Sequence, residues 1–165
     1  LERIVLYTTR PIREGEAEGR EYHFVDRARY EALLAAGKVI EARSYDTMYG
    51  VWTYFTAEEG IDLAKTSYLT IGTLESYEKL KSYFGEKQVV PVYVELEDGE
   101  RLSRALARER LQETPRYAEL CRRFLADCAD FSEEKLAAAG INRRFVNDDL
   151  ERCCGEILRY IEENK

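Results

Sequence analysis

The first third of the chain consists of short apolar runs separated by turn signals. Four of these runs are rich in β-branched and aromatic side chains and are predicted as strands: residues 3–8, 21–25, 38–45 and 48–56. Asp26 precedes a helical pattern that stops at Gly37. Strands this short and this closely spaced predict a mostly antiparallel sheet.

From residue 57 onward, helical periodicity dominates. Helices are predicted over residues 57–65, 74–84, 100–112, 116–130, 132–139 and 148–163. Strands are predicted over residues 67–72, 88–96 and 144–146, and Pro91 inside the second of them indicates an edge or a bulge. A strand, a helix and a strand in succession favour parallel pairing.

These patterns predict one α/β domain over residues 1–165. Its parallel core carries an antiparallel insertion near residues 9–56 and a helical excursion near residues 100–140. Both additions contain arginines, which suggests two lobes that close on one anionic ligand set.

Composition narrows the function classes. A net charge of −7 argues against a general nucleic-acid binder, which would present a basic face. The 4 cysteines form no CxxC pair, so we expect no zinc site, no disulfide framework and a cytoplasmic location. No apolar run approaches the ~20 residues of a membrane span, and no signal peptide is visible.

The segment at residues 8–24, TTRPIREGEAEGREYHF, carries the clearest candidate chemistry. Arg10 and Arg13 lie three residues apart on a turn, and Tyr22 follows in a short strand. Two guanidinium groups and a phenol on one loop suit a dianionic phosphate. The simpler alternative is a solvated turn with surface charges.

A carboxylate and a second phenol follow in the predicted sheet. Glu41 ends the run VIE, and Tyr49 follows a turn. A carboxylate suits the paired N–H donors of a base edge. The alternative for Glu41 is an exposed residue of an alternating strand.

Arginines recur in the helical excursion. Arg104 and Arg108 share one helix face, and Arg123 lies on the next helix. They are either charges on a helix surface or a lid that stabilises a phosphoryl group in transfer. Asn147 stands just before the last helix, where Asn and Asp are good N-caps.

The chain resembles the guanylate kinase family of nucleoside monophosphate kinases through six segments in the same order: TTRPIREGEAEGREYHF, VIE, Tyr49 with Gly50, RALAR, RRFLADCAD and VNDD. The resemblance implies a three-layer, parallel-sheet fold like that of P-loop kinases, with a small acceptor-binding β insertion and a helical lid. It implies phosphoryl transfer from ATP, with Mg²⁺, to a nucleoside monophosphate, with GMP to GDP as the first expectation.

The resemblance also implies a role for each candidate residue. Those that would hold the acceptor phosphate are Arg10, Arg13, Tyr22 and Tyr49. Glu41 would contact the acceptor base, and Asn147 would lie near the donor adenine. The lid residues around the transferring phosphate would be Arg104, Arg108 and Arg123. No protein metal ligand is expected.

The chain departs from the family pattern in two ways. It contains no G-x-x-x-x-G-K-[ST] donor loop and begins at Leu1, so we expect that loop to lie upstream. Leu6, Thr70 and Gly72 occupy positions where the family reads the base with polar side chains. Acceptor specificity therefore stays open, and so does a second function: a non-catalytic module that binds a phosphorylated partner.

Overall fold

The computed structural model describes residues 1–47 and 50–164. The described residues contain eight strands, namely β1 (Glu2–Arg3), β2 (Tyr7–Thr8), β3 (His23–Phe24), β4 (Val39–Thr47), β5 (Gly50–Ala57), β6 (Tyr68–Leu69), β7 (Tyr93–Glu95) and β8 (Arg144–Val146). They contain six helices, namely α1 (Arg27–Ala35), α2 (Leu74–Phe84), α3 (Asp98–Arg110), α4 (Tyr117–Asp130), α5 (Glu133–Ala138) and α6 (Leu150–Glu163). The chain divides into two compact units, Leu1–Gln88 and Val89–Lys165.

The first unit is organised around a four-stranded sheet with the order β3-β2-β5-β4. The long hairpin of β4 and β5 is antiparallel, β2 pairs with β5 antiparallel, and β3 pairs with β2 parallel. The predicted mostly antiparallel sheet is therefore confirmed. The predicted strand at residues 3–8 is split, because β1 leaves this sheet and pairs in parallel with β6.

Helix α1 covers one face of this sheet and forms as its local sequence predicts. The Asp26 carboxylate accepts a hydrogen bond from the backbone N–H of Arg29, which satisfies one of the free donors of the first turn. The chain leaves the helix at Gly37, whose φ of +69° suits glycine. Leu33 then packs with Phe55 and Ala57 in a core whose members are at most 2% exposed.

One predicted helix is wrong. Residues 58–66 form turns rather than a helix. Gly60 has a φ of +83°, and the Asp62 side chain accepts a hydrogen bond from the backbone N–H of Ala64, 3.2 Å away. A left-handed glycine and a local side-chain bond both compete with the helical ladder.

Helix α2 follows the predicted bounds, from Leu74 to Phe84 with Gly85 as its C-cap. The Thr73 side chain caps its first turn, and the helix packs against β4. This packing places the first turn of α2 beside the sheet residues that form the candidate site.

The second unit contains a parallel pair, β7 with β8, and four helices. The predicted strand at residues 88–96 shortens to Tyr93–Glu95 and begins after Pro91, which has no N–H to donate to a ladder. Phe145 and Leu136 are fully buried. Within the described ranges, no helix is both long and apolar enough to cross a bilayer.

Two neighbouring leucines on α1 test the core of the first unit. Leu33 is 2% exposed and Leu34 is 52% exposed. We expect Leu33→Ala to lower the free energy of unfolding by about 2–5 kcal/mol, because it leaves a cavity under the sheet. The matched control, Leu34→Ala, should change it by no more than about 0.5 kcal/mol. Urea denaturation of both variants is the measurement, and equal losses would contradict this core.

Candidate functional site

Arg10 is held inside the turn that follows β2. It is 3% exposed, and its two terminal amino groups donate to the two carboxylate oxygens of Glu16 at 2.8 and 3.0 Å. One of them also donates to the carbonyl oxygen of Pro11 at 2.8 Å. This two-point pairing raises the pKa of the Arg10 guanidinium. In this structure the guanidinium fork of Arg10 is therefore occupied by the chain's own carboxylate.

Aromatic rings flank the same guanidinium. Its central carbon lies 5.6 Å from the ring centroids of Tyr22 and of Phe24, within the range of cation–π attraction. Tyr22 meets Tyr54 edge to face at 5.6 Å. The structure thus brings together Arg10 and Tyr22, two of the residues that the sequence assigns to the acceptor phosphate.

Arg13 lies on the same turn but points its charge outward. Its backbone N–H donates to Glu16 at 2.8 Å, so one carboxylate fixes both arginine positions. Its side chain is exposed and makes no ion pair in the part of the chain that the structure describes. Arg13 is consequently the accessible cation of this turn. Sequence reasoning missed Glu16, although its place six residues after Arg10 in a tight Gly-containing turn was the signal.

Glu41 lies on β4, the edge strand at the opposite end of the sheet from β3, and is 3% exposed. One carboxylate oxygen accepts a hydrogen bond from the Thr56 hydroxyl at 2.8 Å. The other accepts from the Ser76 hydroxyl at 3.3 Å and lies 3.2 Å from Nε of Arg43. The alternative of an exposed alternating residue is therefore wrong, and both oxygens of this buried carboxylate accept hydrogen bonds within the unit.

Gly72 explains how Ser76 reaches this carboxylate. A Cβ atom at position 72 would lie 3.0 Å from Cβ of Ser76, closer than such contacts normally come. The absence of a side chain at 72 thus leaves the room in which the first turn of α2 approaches Glu41. Ser76 supplies the polar contact there.

A row of residues connects the two regions across the sheet. Thr8 lies opposite Tyr54, and Tyr54 lies opposite Arg43. Directly opposed residues of antiparallel strands share a face. The Thr8 hydroxyl in turn accepts a hydrogen bond from the backbone N–H of Arg10 at 3.2 Å. Tyr49, the remaining predicted phosphate ligand, lies outside the described residues.

The predicted lid arginines belong to the second unit. Arg104 donates to Glu100 at 2.8 Å and to the carbonyl oxygen of Asn147 at 3.0 Å. Arg108 is exposed on α3. Arg123 is exposed on α4, where its nitrogens lie 3.7 Å from carboxylate oxygens of Glu109 and of Glu119.

Asn147 follows β8 and is fixed through its backbone. Its N–H donates to the carbonyl oxygen of Glu95 at 2.8 Å, and its own carbonyl oxygen accepts from Arg104. The N-cap of α6 is the neighbouring Asp149, whose side chain accepts from the N–H of Arg152. Asn147 is thus held beside the helix start without capping it.

The residues that the structure describes contain no group of three or more His, Cys, Asp or Glu side chains placed to hold a metal ion. They do not form a cage for Mg²⁺ made of protein ligands alone. In phosphoryl-transfer sites Mg²⁺ is bound through one or two carboxylates together with the substrate phosphates.

Acid titration tests the turn that Glu16 organises. Hydrogen bonds from the Arg10 side chain and the Arg13 backbone hold the pKa of Glu16 below its usual value. Ionised Glu16 therefore stabilises the fold above the usual carboxyl pKa, and this contribution is lost as the pH falls through the lowered value.

We expect Glu16→Gln to be less stable than the natural chain near neutral pH and to lose less stability between about pH 5 and pH 3. Urea midpoints across that range are the measurement. Glu14→Gln, which removes an exposed carboxylate from the same turn, should keep the natural acid slope. An unchanged acid slope in Glu16→Gln would contradict this reading of the turn.

Comparison with known proteins identifies the family of this chain. The family model for guanylate kinase matches residues 2–164. A guanylate kinase from Bdellovibrio bacteriovorus is 28% identical over 161 residues, which cover 97% of this chain and 81% of that protein. Protein PALS1 from Danio rerio is 31% identical over 160 residues, which cover 96% of this chain but only 22% of PALS1.

The solved structures show the same fold. A crystal structure of guanylate kinase from Anaplasma phagocytophilum matches with a TM-score of 0.62 at 20% sequence identity, over 98% of this chain and 74% of that one. The mixed α/β architecture of six helices and short sheets in the described residues is thus similar to the P-loop-kinase-like fold that the sequence predicts. With a family match over nearly every residue, this chain belongs to the guanylate kinase family.

Proposed function

We propose that this chain forms the acceptor-binding and lid parts of a kinase that transfers the terminal phosphoryl group of ATP to GMP, giving GDP and ADP. The observation that carries the proposal is the turn after β2, where an exposed Arg13 lies beside a buried Arg10. The Glu16 carboxylate fixes both positions, so the turn is organised before a ligand arrives.

At this turn Arg13 supplies the accessible charge for the acceptor phosphate. Arg10 and Tyr22 form the wall behind it, and Tyr49 is proposed to complete the phosphate contacts. Nε of Arg10 is buried and makes no hydrogen bond to the described residues, so this N–H donor is unsatisfied. Glu41 lies opposite Thr56 of β5, and we propose that the base of the acceptor binds near this part of the sheet.

On the helical side, Arg108 and Arg123 are exposed and available to the charge that develops on a phosphoryl group in transfer. Arg104 is bound to the carbonyl oxygen of Asn147. We therefore propose that Arg104 fixes the segment that places Asn147 near the adenine of the donor.

Donor binding needs more than these residues provide. The 165 residues contain no G-x-x-x-x-G-K-[ST] segment, so they do not form a cradle for the β- and γ-phosphates of ATP. Mg²⁺, when bound with the nucleotide, neutralises charge on those phosphates. A cytoplasmic location is part of the proposal, and the four cysteines are free thiols, as is usual there.

The proposal is tested by a coupled ADP-release assay of the natural full-length gene product with ATP, Mg²⁺ and a panel of nucleoside monophosphates. We expect turnover with GMP above all other acceptors. A gene product that carries a complete donor loop and turns over none of the panel would refute the kinase.

A second candidate is a non-catalytic module that binds a phosphorylated partner. Two observations favour it: the lack of a donor-loop motif in this sequence, and the match to Protein PALS1, of which this chain covers only 22%. A gene product without a donor loop, inactive with the whole panel but able to bind a phosphopeptide through Arg13, would favour the module.

Comparing variants of two adjacent arginines on α4 distinguishes a lid residue from a charge on the helix surface. The side chains of Arg122 and Arg123 are 65% and 58% exposed, and both lie near Glu119. In the natural full-length gene product, we expect Arg123→Ala to lower kcat by about 10³-fold, because it removes a positive charge that stabilises the transition state. Arg122→Ala should leave kcat close to the natural value, and thermal denaturation should show both variants folded. Equal kcat values would remove Arg123 from the lid.

A further inference from the structure

The Glu41 carboxylate lies where the acceptor base would be expected, but it is closed off from solvent. The Glu41 side chain is 1% exposed, and its oxygens are engaged by Thr56, Ser76 and Arg43. Its partners come from three elements: β5, the first turn of α2 and β4 itself. Each carboxylate oxygen can accept two hydrogen bonds, so it is burial that keeps a base away from Glu41. Neighbouring side chains would have to move before N–H donors of a base could reach it.

Arg43 is the group next to it that has donors to spare. Its side chain is 16% exposed, and its Nε lies 3.2 Å from Glu41 without the alignment of a hydrogen bond. Its two terminal amino groups make no hydrogen bond to any described residue, and its charge contributes to lowering the pKa of the Glu75 carboxyl. The two terminal amino groups of Arg43 thus offer four N–H donors in one plane, and the Glu41 carboxylate next to Nε holds the guanidinium in place.

Arg43 lies on the same face of the sheet as Thr8, the residue that leads into the proposed phosphate-binding turn. Arg43 lies opposite Tyr54, and Tyr54 lies opposite Thr8 on the far strand. Two strand spacings, about 10 Å, therefore separate Arg43 from the strand that leads into Arg10. Tyr54 also packs edge to face against Tyr22, which flanks the proposed phosphate site. This separation is comparable to the length of a nucleoside monophosphate.

We propose that Arg43, rather than Glu41, contacts the base of the acceptor, and that Glu41 is a positioning residue that fixes the Arg43 guanidinium. The inference rests on the proposed function, in which the acceptor is a nucleoside monophosphate. A guanidinium only donates hydrogen bonds, so it selects a base edge with two adjacent acceptors. Guanine offers N7 and O6, and cytosine offers N3 and O2.

Base analogues distinguish this recognition from recognition by a carboxylate. A carboxylate would accept from N1–H and the 2-amino group of guanine, so inosine monophosphate (IMP) would bind weakly and 7-deaza-GMP normally. The Arg43 fork reverses both expectations, because IMP keeps N7 and O6 whereas 7-deaza-GMP has lost N7.

Calorimetric titration of the full chain with GMP, IMP, 7-deaza-GMP, CMP and UMP is the test. It measures acceptor binding alone, so it needs neither ATP nor turnover. We expect GMP and IMP to bind with similar affinity and 7-deaza-GMP to bind about tenfold more weakly.

Variants assign the effect to the two residues. Arg43→Gln should bring the affinities for GMP and 7-deaza-GMP together, and Arg43→Lys should not restore the difference, because an ammonium group is not a fork. Glu41→Gln should also reduce this ratio, which a merely structural role would not do. The double variant Glu41→Gln/Arg43→Gln removes both charges at once and serves if Arg43→Gln alone does not fold. Arg3→Gln, an exposed arginine on β1, is the control and should keep the ratio.

The outcomes separate this inference from the proposed function. Strong GMP binding that is indifferent to N7 but lost with IMP would overturn the role of Arg43 and leave GMP as the acceptor. Binding of CMP in preference to GMP and UMP, lost in Arg43→Gln, would support Arg43 and overturn GMP as the acceptor. No binding by any of the five nucleotides would overturn both.

Discussion

The buried carboxylate of Glu41 is the constraint on which the arrangement of the first unit depends. A charge removed from water is tolerated only where hydrogen bonds and an opposite charge compensate it. Here the compensation comes from Thr56 on β5, Ser76 on α2 and Arg43 on β4. Satisfying one side chain therefore ties the hairpin to the helix and sets where the Arg43 guanidinium lies.

The same arrangement occurs at the other end of the sheet. Glu16 is paired with the buried Arg10 and also accepts from the backbone of Arg13. In both places a carboxylate of the chain engages an arginine, and a neighbouring donor is left for a ligand. In the proposed function, the carboxylates organise the site, and the arginines contact the phosphate or the hydrogen-bond acceptors of the base. An acidic chain with a net charge of −7 can in this way present local cationic groups.

Most elements that depend on local chemistry could be predicted from the sequence, whereas contacts between distant residues could not. Helix α1 could be predicted because the Asp26 cap and the glycine stop act within a few residues. The helix expected at residues 57–65 fails because the left-handed Gly60 breaks the pattern. The pairing of Glu16 and the approach of Ser76 depend on how a turn closes and where a helix packs. That Arg43 lies beside Glu41 could have been predicted from the sequence, because residues two apart on a strand share a face.

In the proposed recognition of the acceptor, Glu41 holds Arg43 in place and Arg43 contacts the base. A crystal structure of this chain with GMP tests it most directly. If Arg43 contacts the base, its terminal nitrogens will lie about 2.9 Å from O6 and N7 of guanine, and Glu41 will still accept a hydrogen bond from Thr56. A Glu41 carboxylate turned to N1 and the 2-amino group, with Arg43 displaced from the base, would contradict it.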